Sequence, residues 1–373
     1  MMPQSAVLQP ALAGEIVGQS PLKIWSLSSE ERLRRQLRRA RITASMADAG
    51  MVVMLRADWV YDEPLVKGLA RQETPCSMWS EDGQCVALVV TPAQVDAARP
   101  LLAAGQAPAG LPRLAPDQVA GSFNNKLRKR EPPFLMPLTP DRLTAIHARV
   151  FAGSYKGVTD FITLYFWPRP ARAVTAICAR LGITPNMVTS ASLVLVLVAM
   201  WAFWHGHYGW GLVTAWIMTF LDTVDGKLAR VTLNSSKFGD KFDHSIDLLH
   251  PPFWWWAWVV GLSTAGLTLP PESIALKVII IGYIVQRAEE GLFDVVFRIS
   301  PHMWQRFDSW FRLITARRNP NLAILTVAAL AGRPDVGINV VAVWVVFCII
   351  IHAVRFAQAG LARRHGPLES WLR

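Results

Sequence analysis

Apolar positions are distributed in two different ways along this chain. Over residues 1 to about 150 they form short runs broken by charges and prolines, as in "MVVMLRADWV" from residue 51 and "CVALVV" from residue 85. Short apolar runs with polar borders predict buried strands, and the segments between and after them carry helical spacing. In "SLSSEERLRRQLRRARIT", Ser28 stands three residues before Glu31, the spacing of a capping box, and Leu33 and Leu37 repeat at i,i+4 on an arginine-rich surface. That is a basic helix with one apolar seam, its charged face turned to solvent or to an anionic surface. Alternating strand and helix patterns predict a soluble α/β domain over residues 1–150. The proline-rich "KREPPFLMPLTPDR" leads from it to a helix near residues 140 to 152.

The pattern then changes. "YKGVTDFITLYFWPRPARAVTAICARLGITPN" sets Arg169, Arg172 and Arg180 beside aromatics in an amphipathic arrangement suited to a headgroup boundary. In "ITPNMVT", Thr184 can cap a helix whose first residue is Pro185. Six apolar segments follow, at about 187–205, 208–225, 245–265, 273–297, 319–333 and 337–358. They predict an α-helical polytopic membrane domain of six transmembrane helices over residues 154–360, with a cytoplasmic tail at 361–373. The fifth, "NLAILTVAALAGRP", is short against a hydrocarbon core of about 30 Å.

Composition supports the division. A content of 52% hydrophobic residues with 16 tryptophans assigns the bulk of the chain to the membrane class. A net charge of +11 could indicate nucleic acid, but no nucleic-acid signature accompanies it, so the partner expected is the anionic lipid bilayer. The segments after the second and fourth spans hold Lys227, Arg230, Lys237 and Lys241, then Arg298, Arg306, Arg312, Arg317 and Arg318; the alternate loops offer only Arg333. The bias orients both termini and the loop after span two toward the cytoplasm, in a multi-pass protein of the cell inner membrane. The amino terminus lacks the charged start and apolar centre of a signal peptide. Cys76, Cys85, Cys178 and Cys348 show no metal-binding or redox spacing, so no disulfide framework or zinc site is expected.

The stretch that carries chemistry is "TFLDTVDGKLARVTLNSSKFGDKFDHSIDLLH". Asp222 and Asp225 share a face at the end of span two, and Asp243 and Asp247 share one at the start of span three. Antiparallel packing of the two helices would bring all four together. Two carboxylates about 4 Å apart repel by roughly 4 kcal/mol at an effective dielectric near 20, so four require cations. An oxygen-only set with no His or Cys favours a hard divalent ion, Mg²⁺ or Mn²⁺, which commonly also binds substrate phosphates. Pairing with Lys227, Arg230, Lys237 and Lys241 would balance charge equally well, but it would not call for Gly226, Ala229 and Gly239, whose small side chains let a phosphorylated ligand approach the backbone.

The spacing D-x2-D-G-x2-A-R-x8-G-x3-D-x3-D, met by Asp222, Asp225, Gly226, Ala229, Arg230, Gly239, Asp243 and Asp247, resembles the signature of the CDP-alcohol phosphatidyltransferases, six-span membrane enzymes. At about 6% usage per residue type, eight fixed positions match by chance at one start on the order of 10⁻¹⁰. The resemblance implies two divalent ions held by Asp222, Asp225 and Asp243, with Asp247 as the base and as a further ligand. It implies a pocket for the CDP moiety near Thr189, Gly226, Ala229 and Arg230. The partners it implies are CDP-diacylglycerol or another CDP-alcohol, a small polar alcohol acceptor, and a second copy of the chain in a homodimer. The acceptor hydroxyl would attack the donor phosphorus with release of CMP.

Arg287, Glu289 and Glu290 in "YIVQRAEEGLFDVVF" are costly at bilayer depth, which leaves acceptor recognition or an internal ion-paired network. His244 and His250 flank the acids; His250 is open to acceptor contact or a local hydrogen bond, in a helix that Pro251 and Pro252 are expected to make irregular. "FWWWAW" is expected to face lipid or the interface. The first domain resembles a degenerate nucleotidyltransferase in its helix, strand and acidic segment, with Asp58 as the metal-ligand candidate. It has no glycine-rich loop to cradle a triphosphate, which implies a non-catalytic remnant. The rivals are a bifunctional enzyme that makes its own soluble CDP-alcohol and a divalent-cation transporter.

Overall fold

The structure, a computed structural model, describes residues 11–270 and 273–373, and the chain divides into two compact units. The first unit comprises residues up to 124, 130–155 and 231–233. Its strands include β1 (Leu12–Val17), the short β2 (Lys23–Ile24) and β3 (Leu27–Ser28), β4 (Met51–Arg56), β5 (Trp59–Tyr61), β6 (Cys76–Trp79), β7 (Cys85–Val90) and β8 (Arg113–Leu114). Its helices are α1 (Ser29–Arg39), α2 (Glu63–Leu69), α3 (Val95–Ala103), α4 (Pro116–Val119) and α5 (Leu143–Gly153).

Five strands form one sheet in the order β1-β4-β7-β6-β8. The β1/β4 and β6/β8 pairs are parallel, whereas β4/β7 and β6/β7 are antiparallel. Parallel neighbours need a crossover, and α1 supplies it between β1 and β4. The continuous apolar run of β4 follows from burial on both faces. Met51, Val53 and Leu55 pack with Leu33 and Leu37 of α1, while Val52 and Met54 pack with Ala98 and Leu102 of α3. Ser28 caps α1 by accepting from the Glu31 amide at 3.2 Å. Asp58, the metal-ligand candidate of this unit, is held in a two-pronged pair by Arg56 at 2.9 and 2.6 Å.

The second unit comprises residues 125–129, 156–230 and 234–373 and is helical. A π-helical turn (Ile162–Phe166) leads into α6 (Pro168–Arg180), and the long helices are α7 (Pro185–Trp204), α8 (Tyr208–Val231), α9 (Lys237–Thr264), α10 (Ala275–Phe297) and α13 (Pro334–Ala362). Between the last two lie α11 (Arg306–Phe311) and α12 (Arg318–Leu330). Thr184 caps α7 ahead of Pro185, as the sequence predicts, by accepting from the Met187 amide. Tyr165, Phe166, Ile177 and Leu181 are exposed around α6, in keeping with an interfacial segment.

Helices occupy all six of the expected apolar segments, yet among the described residues only Pro185–Trp204 and Pro334–His365 are long and apolar enough to cross a membrane by length and composition. The others interrupt their apolar runs with the aspartates of α8 and α9 or with Arg287, Glu289 and Glu290 of α10, and α12 has 13 residues, about 20 Å at 1.5 Å per residue.

Two expectations are corrected. "FWWWAW" does not face outward as a block: Trp254, Trp255 and Trp258 are buried in the helical core, while Phe253 and Trp256 are exposed. Their spacing puts them on the inner face of α9, and the indole N–H groups of Trp254 and Trp258 donate to the Val196 and Pro334 carbonyls at 2.9 and 3.1 Å. Nor do Pro251 and Pro252 interrupt α9, which runs unbroken from Lys237 to Thr264. Pro252 cannot donate to the Leu248 carbonyl, and the Tyr283 hydroxyl of α10 donates to it instead at 2.8 Å.

Candidate active site

Helix α8 carries its apolar face as far as Leu221 and then presents Asp222 and Asp225 within one turn. Helix α9 starts at a Ser236 cap, whose hydroxyl accepts from the Gly239 amide at 2.9 Å, and presents Asp243 on its second turn and Asp247 on its third. One ligand oxygen from each of Asp222, Asp225 and Asp243 lies within 4.8 Å of the others. Carboxylates alone, at such separations, fit a hard divalent ion by the chemistry of the donor set.

Asp247 is not one of that triad but shares a cation with Asp222. Arg318, the first residue of α12, donates from Nη1 to Asp247 Oδ1 and from Nη2 to Asp222 Oδ2, each at 2.5 Å. In the sequence Arg318 is one of several loop charges; its partners lie 71 and 96 positions away, beyond any local pattern.

The residues assigned to the CDP moiety have defined surroundings. Thr189 of α7 donates to Asp225 Oδ2 at 2.7 Å, which ties one carboxylate oxygen in place; both residues are buried. Gly226 leaves room for the Arg230 guanidinium, which would lie 3.0 Å from a Cβ there. Ala229 is half-buried on the same helix. Gly239 is crowded, not open: an added Cβ would collide with the Asn186 side-chain oxygen and sit 3.0 Å from Ser236 Oγ. Its smallness therefore admits Asn186 of "ITPNMVT" against the start of α9.

The remaining polar residues fall into a network. Glu290 accepts from Arg287 at 3.1 Å, pairs with His302 at 3.2 Å and pairs with Arg317, so the ion-paired alternative describes Arg287 and Glu290. Asp160 accepts from the Thr163 amide and from Asn319, both at 3.0 Å. Burial would raise the Asp160 carboxyl, but nearby Arg312 and these hydrogen bonds outweigh it and hold the group below its usual range. Burial, followed by repulsion from Arg317, pushes the Arg312 guanidinium down to about 9 against the pull of Asp160 and Glu290. Lys156 is lowered too, by burial and then by Arg230 and Arg128. Arg312 Nε and Nη1 are buried with no hydrogen-bond partner. Positive charge thus exceeds negative charge in this corner. His250 is buried, its Nδ1 hydrogen-bonded to the Ile246 carbonyl at 2.6 Å and its ring against Trp254, while His244 is exposed.

Residues 182–300 match the family model of the CDP-alcohol phosphatidyltransferases. The chain is similar to an archaetidylinositol phosphate synthase of Pyrococcus horikoshii, 28% identical over 48% of this chain and 87% of the relative. It is similar also to phosphatidylinositol phosphate synthases of Mycobacteroides abscessus (28% identical, 30% of this chain and 52% of the relative) and Mycolicibacterium smegmatis (30% identical, 32% and 56%). It therefore spans about half the length of those two mycobacterial relatives, 52% and 56%. Residues 182–300 thus carry a CDP-alcohol phosphatidyltransferase domain. All four signature aspartates fall inside the matched residues; Arg312 and Arg318 fall beyond them.

Proposed function

We propose that this enzyme transfers a phosphatidyl group from CDP-diacylglycerol to a small polar alcohol, releasing CMP. The observation that carries the reading is the convergence of Asp222, Asp225 and Asp243, with Asp247 beside them but bound to Arg318. Mg²⁺ or Mn²⁺ held by the three converging carboxylates would supply positive charge against the donor pyrophosphate. Thr189 fixes one oxygen of Asp225 for that task. Arg230 contributes a guanidinium for a phosphate oxygen. Asp247 takes the proton from the acceptor hydroxyl as its oxygen bonds to the phosphatidyl phosphorus; the bond from that phosphorus to the CMP oxygen breaks, and CMP carries away the electron pair.

The acceptor in this proposal is a phosphorylated polyol. Two buried, unpartnered nitrogens on Arg312 within a net positive corner suit an anion, and the three relatives are named as inositol phosphate lipid synthases. Six membrane crossings, with the site and both termini cytoplasmic, remain part of the proposal; the six helices and the basic segments after α8 and α10 support it. The first unit acts without nucleotidyl transfer in this reading, in line with the pairing of Asp58 to Arg56.

The roles of the aspartates are separable by experiment. Asp225→Asn should weaken both divalent-ion and CDP-diacylglycerol binding. Asp247→Asn should lower turnover by about 10² or more while leaving donor affinity within a few-fold, as loss of a general base does. Equal loss of metal-dependent donor binding in both variants at saturating Mg²⁺ would make Asp247 a ligand and remove the base from this mechanism.

A further inference from the structure

Four carboxylates close together present a divalent ion with a choice of ligands, and a base that becomes a ligand loses its lone pair to the metal. Arg318 bears on that choice. Its guanidinium lies at the amino-terminal end of α12, with a side chain only 14% exposed, and its two terminal nitrogens each take an oxygen from a different aspartate on a different helix. Nη1 also contacts Met218 Sδ at 3.8 Å, which limits the positions the group can adopt. Paired with two carboxylates, the Arg318 guanidinium keeps its proton and presents its donors as a rigid fork, so it is a positive charge in a fixed orientation.

We propose that Arg318 is a positioning residue that keeps Asp247 out of the metal's ligand set and so preserves it as the base. The inference rests on the reading of Asp247 as proton acceptor. With Oδ1 of Asp247 and Oδ2 of Asp222 engaged by Arg318, metal ligation falls to Asp225, Asp243 and the second oxygen of Asp222, and the second oxygen of Asp247 stays available to the acceptor hydroxyl. The fixed charge also opposes the incoming cation. Arg318 thus weakens metal binding in order to direct it, and removing the charge should produce two changes of opposite sense: a tighter metal site and a slower enzyme. A side chain that only held α12 against its neighbours would not do this, because loosening a site weakens ligand binding.

The test is Mn²⁺ binding to detergent-solubilised full-length protein, followed by electron paramagnetic resonance of free Mn²⁺, together with CMP release. Arg318→Gln should bind Mn²⁺ about tenfold or more tightly than the parent, from loss of one positive charge a few ångströms away, while turnover falls by about 10² or more. Arg318→Lys keeps the charge without the fork and should hold Mn²⁺ affinity within about threefold of the parent, with turnover between the two. A folded Arg318→Gln protein, by circular dichroism and thermal melt, whose Mn²⁺ affinity is unchanged or weaker overturns the proposal. So does tighter binding with undiminished turnover. Failure of the parent itself to bind Mn²⁺ overturns the metal reading of the site, and this inference with it.

Discussion

Replacing Thr189 with valine removes one hydroxyl and nearly preserves side-chain shape, and it distinguishes two roles for this residue. The hydroxyl has one proton and two acceptors in reach, Asp225 Oδ2 at 2.7 Å and the Pro185 carbonyl at 3.1 Å. The shorter contact, to a carboxylate, is the stronger one. Thr189 and Asp225 are only 4% and 3% exposed, so water does not replace the lost donor. A hydrogen bond to a charged group contributes about 1.5–3 kcal/mol. At about 1.4 kcal/mol per tenfold, Thr189→Val should weaken Mn²⁺ binding by roughly 10- to 100-fold, the usual cost of losing a partner behind a metal ligand. Thr189→Ser should stay within a few-fold of the parent. Mn²⁺ titration in the absence of donor measures this directly. If Thr189→Val binds Mn²⁺ normally but loses affinity for CDP-diacylglycerol, the hydroxyl serves the nucleotide and the positioning of Asp225 has another origin.

Gly261→Ala should lower the melting temperature markedly, because a Cβ there would collide with the Phe203 carbonyl of α7 and lie 2.9 Å from the Gly206 amide, and backbone cannot step aside; an unchanged melt would refute the close α7/α9 contact. Arg312→Gln should raise KM for a phosphorylated acceptor by about tenfold or more and leave KM for the donor within about twofold, whereas equal effects on both substrates would assign Arg312 to the donor or to general stability.

The parts of the fold and site that rest on local spacing were legible in the sequence. Ser28 before Glu31 and Thr184 before Pro185 mark helix starts because a cap acts within one turn. The run from Met51 to Arg56 reads as a strand, and it is apolar throughout because both of its faces are covered. The aspartate pairs share a helix face by arithmetic, and three of the four converge as the spacing suggests. What was not legible depends on partners far along the chain. In "FWWWAW" every position is apolar, so no periodicity distinguishes buried Trp254 and Trp258 from exposed Trp256. The Leu248 carbonyl that Pro252 leaves without its helical donor is satisfied by Tyr283, a residue of another helix. Gly239 reads as an opening for ligand, but Asn186 of α7 stands against it. Arg318 reads as cytoplasmic charge until α12 brings it between Asp222 and Asp247.

The central claim is that the aspartate cluster directs a phosphatidyl transfer that depends on both a divalent ion and an acceptor. Its most direct test is CMP release from CDP-diacylglycerol in mixed micelles by purified full-length protein, with inositol phosphate, glycerol phosphate, serine and unphosphorylated inositol offered in turn. The account predicts CMP only when Mg²⁺ or Mn²⁺ and a phosphorylated polyol are both present, and almost none from Asp225→Asn. Protein that binds the donor and metal yet releases no more CMP than Asp225→Asn with any acceptor would contradict it.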